Sequence, residues 1–307
     1  MSLFAILFVK LIPLYALILL GFISGKGLRM EKTQVAKLLI YVITPYVVFE
    51  ATLRAKLHVD IISLPILFFS LGTILCFLCL FIARRIWTDS TKNILAFAAG
   101  AGNTGYFGLP VIISLFGEDV ISFAVFAVLG MILYENSIGY FVTARGNYSV
   151  EESIKKMLRL PSLYAFGVGI TLNALQVTLP ESVHILGFGF RHAYTILGMM
   201  IIGIGISGVK FSTIDVRFLS ISFCMKFLAW PLVMSLIFFI DAWLFHIYSL
   251  EMKHILLILS IVPLAANTVV FAAELDTKPE QASFAVLAST FFALFYIPFC
   301  ATLLKLT

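Results

Sequence analysis

Two stretches of the chain set a proline and an Asn-Thr pair inside otherwise apolar sequence. They are Ala101-Gly102-Asn103-Thr104-Gly105-Tyr106-Phe107-Gly108-Leu109-Pro110 and Ile261-Val262-Pro263-Leu264-Ala265-Ala266-Asn267-Thr268. A proline within a helix removes a backbone donor and displaces the turn before it, and Gly105 and Gly108 lower the cost of unwinding. In an apolar surround the freed groups are tolerated only where they line a cavity or pack on protein. An interrupted helix also presents a half-helix N-terminus whose partial positive charge and open N–H groups suit an anion. Asn103 adds a side-chain donor, and Asn267 and Thr268 complete a polar lining. Asn in a kinked membrane helix also serves as an interhelical hydrogen-bond partner; the recurrence of the feature is what points to a ligand site. The chemistry expected is reversible recognition of an anion at membrane depth.

Other ionisable residues lie in apolar sequence. Glu135, in Leu133-Tyr134-Glu135-Asn136, is expensive at depth unless it pairs, protonates or binds a cation. It is the candidate for proton or Na+ coupling, the alternative being a hydrated carboxylate paired with a basic residue such as Arg145. Glu50 ends an apolar run and reads as solvated. Arg191, beside His192, either neutralises a substrate carboxylate or snorkels outward. Lys226, ahead of Pro231, raises the same question without matching a binding motif.

Enzyme chemistry finds no support. Gly205-Ile206-Ser207-Gly208 matches the Gly-x-Ser-Gly of rhomboid-type intramembrane proteases, but Ser207 has no His within expected reach. There is no His-Glu-x-x-His zinc helix and no phosphate-binding Gly-x-x-x-x-Gly-Lys loop. Cys76, Cys79, Cys224 and Cys300 fall in apolar runs and read as packing residues rather than metal ligands. No cofactor or metal is expected beyond coupling to H+ or Na+.

The elements that must position these residues are membrane spans. Of 307 residues 61% are apolar and 12% charged, about half the charged share of a soluble domain. That excludes a soluble enzyme, a nucleic-acid binder and a disordered scaffold. The net charge of +5 reads as topological. Apolar runs near 3–23, 35–52, 60–83, 94–116, 120–143, 161–179, 184–207, 215–240, 252–274 and 281–304 suggest about ten helices. Continuous Leu, Ile, Val and Phe without alternation argue against barrel strands. Met1-Ser2-Leu3-Phe4 carries no basic n-region, so the first helix is expected to stay in the protein. Assigning Lys and Arg to alternate sides gathers most of them on one, among them Lys26, Arg29, Arg84, Arg85, Lys155, Lys156 and Lys210. Arg54, Lys56, Lys253 and Lys305 fall on the other. The positive-inside rule makes the larger set cytoplasmic and places both termini outside the cell membrane.

The polar stretch from Arg145 to Arg159 divides the spans five and five. An odd number per half inverts the second half, so 1–143 and 161–307 read as inverted repeats joined by a linker, 144–160. Ser149, with Glu152 three residues on, reads as the cap of an amphipathic interfacial helix bearing Ile154, Met157 and Leu158.

At these residues the sequence resembles the auxin efflux carrier superfamily, which includes the plant PIN-FORMED carriers and bacterial malonate and malate permeases. The resemblance covers nearly the whole chain. Its strongest points are Asn103-Thr104 followed by Gly108-Leu109-Pro110, and Val262-Pro263 with Phe271-Ala272; Thr44-Pro45 and Leu160-Pro161 also look like family positions. The resemblance implies an all-α, ten-helix inverted-repeat fold of bile-acid-transporter type. Its fourth and ninth helices would cross at their prolines, and its transport domain would move like an elevator against a scaffold. It implies an anion site at that crossing, matched here by Asn103 and, from the second and sixth helices, Val48 and Ser162. It further implies a homodimer. Plant members carry Asn where this chain has Ser162 and Gln where it has Leu264, and they have a long cytoplasmic loop absent here. A small mono- or dicarboxylate is therefore the expected substrate, rather than auxin.

The reading is a non-ATP-driven, secondary transporter of small organic anions such as malonate or malate. Asn103, Thr104, Gly105, Pro110, Pro263, Asn267, Thr268, Val48 and Ser162 form its expected site, and Glu135 its expected coupling residue. The alternatives are a Na+-coupled symporter of bile-acid-transporter type and an anion-sensing membrane receptor.

Overall fold

The computed structural model describes residues 3–54, 59–117, 120–209 and 214–303; Lys56, Lys210 and Lys305 lie outside them. The described residues form helices and no strand. In chain order these are α1 (Leu3–Gly27), α2 (Lys32–Leu53), α3 (Val59–Ala83), α4 (Thr91–Gly100), α5 (104–116), α6 (121–144) and α7 (Val150–Leu158). There follow α8 (Pro161–Ala174), α9 (Glu181–Ile206), α10 (Val216–Phe245), α11 (Leu250–Ser260), α12 (Asn267–Leu275) and α13 (Pro279–Leu303). Seven of them, α1, α2, α3, α6, α9, α10 and α13, are each long and apolar enough to cross a membrane. The fourth and ninth apolar runs are not continuous helices. Each is two short helices, α4 with α5 and α11 with α12, joined through non-helical backbone at 101–103 and 261–266.

Proline explains much of the irregularity. A five-residue π turn precedes a residue-proline pair three times: Leu39–Ile43 before Thr44-Pro45, Thr104–Gly108 before Leu109-Pro110, and Met225–Ala229 before Trp230-Pro231. Proline cannot donate to the carbonyl four residues back and its ring presses on it, so the turn widens to relieve the clash. A widened turn re-aims the side chains within it, which matters for Tyr106 and Lys226.

Packing relies on glycine where helices touch backbone to backbone. A Cβ on Gly203 of α9 would meet the Ile18 carbonyl oxygen of α1, and one on Gly21 of α1 would meet the Met200 carbonyl oxygen. Small residues at such crossings give close van der Waals contact, the main attraction between helices in lipid. Gly203→Leu is expected to lower stability by about 2–3 kcal/mol, read as an earlier unfolding transition of the detergent-purified protein. An unshifted transition would show that α1 and α9 can separate freely. Leu232, Leu236, Phe239 and Trp243 form an exposed apolar stripe along α10, as a lipid-facing surface requires.

The short helix α7 forms as its sequence predicts. Ser149 Oγ accepts from the Glu152 N–H at 3.2 Å, and Glu152 Oε2 accepts from the Ser149 N–H at 2.9 Å. These reciprocal bonds hold the Glu152 carboxyl below its ordinary range. Val150, Ile154 and Leu158 are exposed along one side of the helix, while Met157 is half-buried against the bundle.

Candidate functional site

The two interruptions meet. The chain leaves α4 at Gly100, runs extended at Ala101 (φ −102°, ψ 151°), and re-enters a helix after Asn103. There the Asn103 backbone N–H donates to the Pro263 carbonyl at 2.9 Å, tying one break directly to the other. The Asn103 carbonyl accepts from Gly108 N–H at 2.9 Å, closing the π turn. On the other strand of the crossing, Leu264 N–H donates to Ser289 Oγ of α13 at 3.1 Å. Two of the backbone N–H groups that proline and unwinding set free are thus satisfied, one across the crossing and one from α13.

Side chains converge on the same point. Asn267 is the first residue of α12, and its Nδ2 donates to Glu135 Oε2 at 2.6 Å while its Oδ1 accepts from the Tyr106 hydroxyl at 3.1 Å. The Glu135 carboxylate therefore sits at a half-helix N-terminus, where partial positive charge favours an anion. Tyr194 of α9 covers Tyr106, with ring centroids 4.1 Å apart. Asn103, Thr104, Gly105, Glu135, Asn267 and Tyr194 line a cavity of about 10 Å³, room for about one water molecule. Asn103 Oδ1 has no hydrogen-bond partner, and its Nδ2 reaches only the Met199 sulfur at 4.0 Å. This side chain is buried and largely unspent.

Lys226 is the residue that the sequence reading set aside and the fold brings in. Fully buried in the α10 π turn, it places Nζ against Gly102, where a Cβ would collide with it. Its Nζ makes no hydrogen bond and lies 4.5 Å from the Trp230 ring centroid. Trp230 donates from Nε1 to the Ala99 carbonyl at 2.8 Å, so α10 reaches the last turn of α4 with two side chains. A cation beside a helix C-terminus is favourable. The signal in the sequence was its spacing: Lys226 precedes Pro231 by five residues, as Gly105 precedes Pro110.

Of the remaining expected residues, none but Pro263 is shown at this centre. Pro263 belongs to the crossing backbone, and Pro110 sits in the first turn of the helix beyond the π turn. Thr268 is buried with its hydroxyl oxygen unpartnered. Val48 packs with Val128 and Ile132. Ser162, near the start of α8, is buried with an unpartnered Oγ.

Two alternatives are decided by the packing. Glu135 does not pair with Arg145, whose guanidinium donates to the Tyr148 carbonyl instead. Glu50 is not solvated: it is 3% exposed and held between Arg54, at 3.1 Å, and Arg191, at 2.5 Å. Arg191 thus points to a buried carboxylate from its place on α9. Above Tyr194, these three residues stand on the wall of a second cavity, of about 500 Å³, whose lining also includes Gly105 and Ile132.

Comparison with known proteins bears on this arrangement. A family model described as "Membrane transport protein" matches residues 6–301. A protein of Methanocaldococcus jannaschii called "Uncharacterized transporter MJ1031" is 27% identical over 302 residues, covering 92% of this chain and 93% of the relative. An "Uncharacterized transporter" of Methanothermobacter thermautotrophicus is 28% identical over 178 residues, or 56% of this chain; the match spans 59% of that relative's length.

Proposed function

The chain belongs to the membrane transport protein family, the auxin efflux carrier superfamily of the sequence resemblance, and on that premise we propose that it is a secondary transporter of small organic anions that binds them at the crossing. It is an integral membrane protein. In this reading the paired helices α4/α5 and α11/α12 and the short α8 join the seven long helices to make ten crossings. They form inverted repeats over 1–143 and 161–307 with the linker at 144–160. Both termini then face outward in the cell membrane. Elevator-type displacement and a homodimer through the scaffold helices are carried over from the resemblance.

The observation that carries the proposal is the hydrogen bond from Asn103 N–H to the Pro263 carbonyl, beside two buried Asn amides. A small carboxylate would take its donors from Asn103 and Asn267 and from the half-helix N-termini. Glu135 already fills the anion position on Asn267. A substrate anion can share that position only if Glu135 accepts a proton, since two adjacent buried carboxylates repel. Anion and proton then travel together, with Lys226 supplying opposing charge. The groups around Glu135 are Asn267, Tyr106, Tyr194, Tyr134 and Lys226.

One observation favours Na+ coupling as a second reading. The small cavity is flanked by Glu135 and Asn103, whose Oδ1 is unpartnered, and hard cations take oxygen ligands of this kind.

Uptake of labelled malonate into proteoliposomes, with pH and Na+ gradients imposed separately, tests both. Accumulation driven by the pH gradient alone supports proton coupling, and accumulation that needs Na+ supports the second reading. No flux of malonate or other small carboxylates under either gradient would overturn transport of this class.

A further inference from the structure

As it stands in this structure the crossing cavity, about 10 Å³, has room for about one water, while the cavity beside Tyr194, about 500 Å³, already has room for an organic anion. Half of its lining residues are Val, Leu, Ile and Phe from α2, α5 and α6. The charged groups on it are Glu50, Arg54 and Arg191. Arg54 and Arg191 bring guanidinium groups to an otherwise largely apolar wall, with Glu50 between them. Glu50 is buried, and a Cβ on Gly187 would strike its carboxylate, so α9 is cut away to admit it. The arginine side chains remain about half exposed, at 47% for Arg54 and 44% for Arg191. Snorkelling to the interface accounts for exposed arginines, but not for a buried carboxylate held between them over a cavity.

We propose that this cavity is a separate capture site for a carboxylate with an apolar body, in which Arg191 binds the carboxylate and Glu50 is a tethered competitor that holds the arginine until an anion arrives. Guanidinium pairs with a carboxylate through two parallel hydrogen bonds, so Arg191 can exchange one carboxylate for another with little reorganisation. The hydrocarbon part lies against Val47, Leu109, Val128 and Leu129. Gly105, Ile132 and Tyr194 line both cavities. An anion held here waits one side chain, Tyr194, from the crossing. The proposal rests on the transport reading for its purpose but not for its chemistry, which is binding alone.

Hexanoate is the probe, with uncharged hexanamide as control, titrated calorimetrically into the detergent-purified full chain. Hexanoate is expected to bind and hexanamide not. Arg191→Gln should weaken hexanoate at least about tenfold, a charge-assisted pair being lost. Glu50→Gln should tighten it several-fold, because the competitor is gone; a purely structural carboxylate would give no gain. Ala51→Phe, which fills the cavity without touching a charge, should abolish binding, and serves if an arginine variant does not fold. Asn103→Ala should keep the part of the hexanoate binding that Arg191→Gln removes, even where its transport is lost, which separates this site from the crossing. The proposal is overturned if wild-type protein does not bind hexanoate, if Arg191→Gln binds it unchanged, or if Glu50→Gln weakens it. Binding lost in Asn103→Ala but kept in Arg191→Gln would place the anion at the crossing and likewise overturn it.

Discussion

Asn103→Ala is expected to reduce substrate uptake to background while leaving expression and the unfolding transition unchanged. The separation follows from how the residue is used. Its backbone N–H holds the crossing through Pro263 and survives the substitution, whereas its side chain has an unpartnered Oδ1 and only a sulfur contact at 4.0 Å. Little folding energy is invested in the amide. A hydrogen bond to a charged group is worth about 1.5–3 kcal/mol, so losing the donor costs roughly ten- to over a hundredfold in affinity. Asn103→Leu should be worse, because an isosteric apolar group leaves the carboxylate without a donor and admits no water in its place. Equilibrium binding of labelled malonate to the purified variants, alongside uptake, reads this directly. Equal affinity in Asn103→Ala and wild type would remove the residue from the site.

Glu135→Gln is expected to abolish the response of uptake to a pH gradient while preserving exchange of labelled for unlabelled substrate. Glutamine keeps an oxygen to accept from Asn267 and imitates the protonated acid, so the anion position is permanently vacated of charge. Each coupled proton makes a one-unit pH gradient worth about 1.4 kcal/mol, a tenfold accumulation. The variant should fall short of the wild type by that factor per unit and by nothing when the gradient is absent. Glu135→Leu makes the contrast. It strands the Asn267 amide without an acceptor, and leaving a buried donor unsatisfied costs about 1–3 kcal/mol. That variant should be poorly folded and inactive in both assays. If Glu135→Gln keeps its pH response and loses a Na+ response, the carboxylate coordinates a cation and the symporter reading takes over.

Much of this is legible in the sequence. The Asn-Thr and proline pairs at 101–110 and 261–268 locate both interruptions, because proline and glycine act through their own backbone chemistry and need no partner to do so. The capping box at Ser149 and Glu152 is equally local, and it forms as read. The class of molecule follows from composition, since a chain this poor in charge cannot cover a soluble surface. The character of a charged residue within an apolar run proved another matter. Glu50, read as solvated, is buried between Arg54, just past the end of α2, and Arg191 of α9. Lys226, read as unassigned, stands against Gly102, more than a hundred positions away in sequence.

The sequence by itself therefore determined where the two proline-bearing helices break, that the linker opens on a capping box, and that the protein lives in a membrane. Those properties depend on local sterics and on the transfer of residues between water and lipid. Only the tertiary structure decided that the two breaks touch through Asn103 and Pro263, that Glu135 rests on Asn267, and that α10 delivers a lysine to the end of α4. The physical reason is that the free energy of a buried charge or amide is set by the partner it meets across helices, and periodicity along one helix carries no information about which other helix lies opposite.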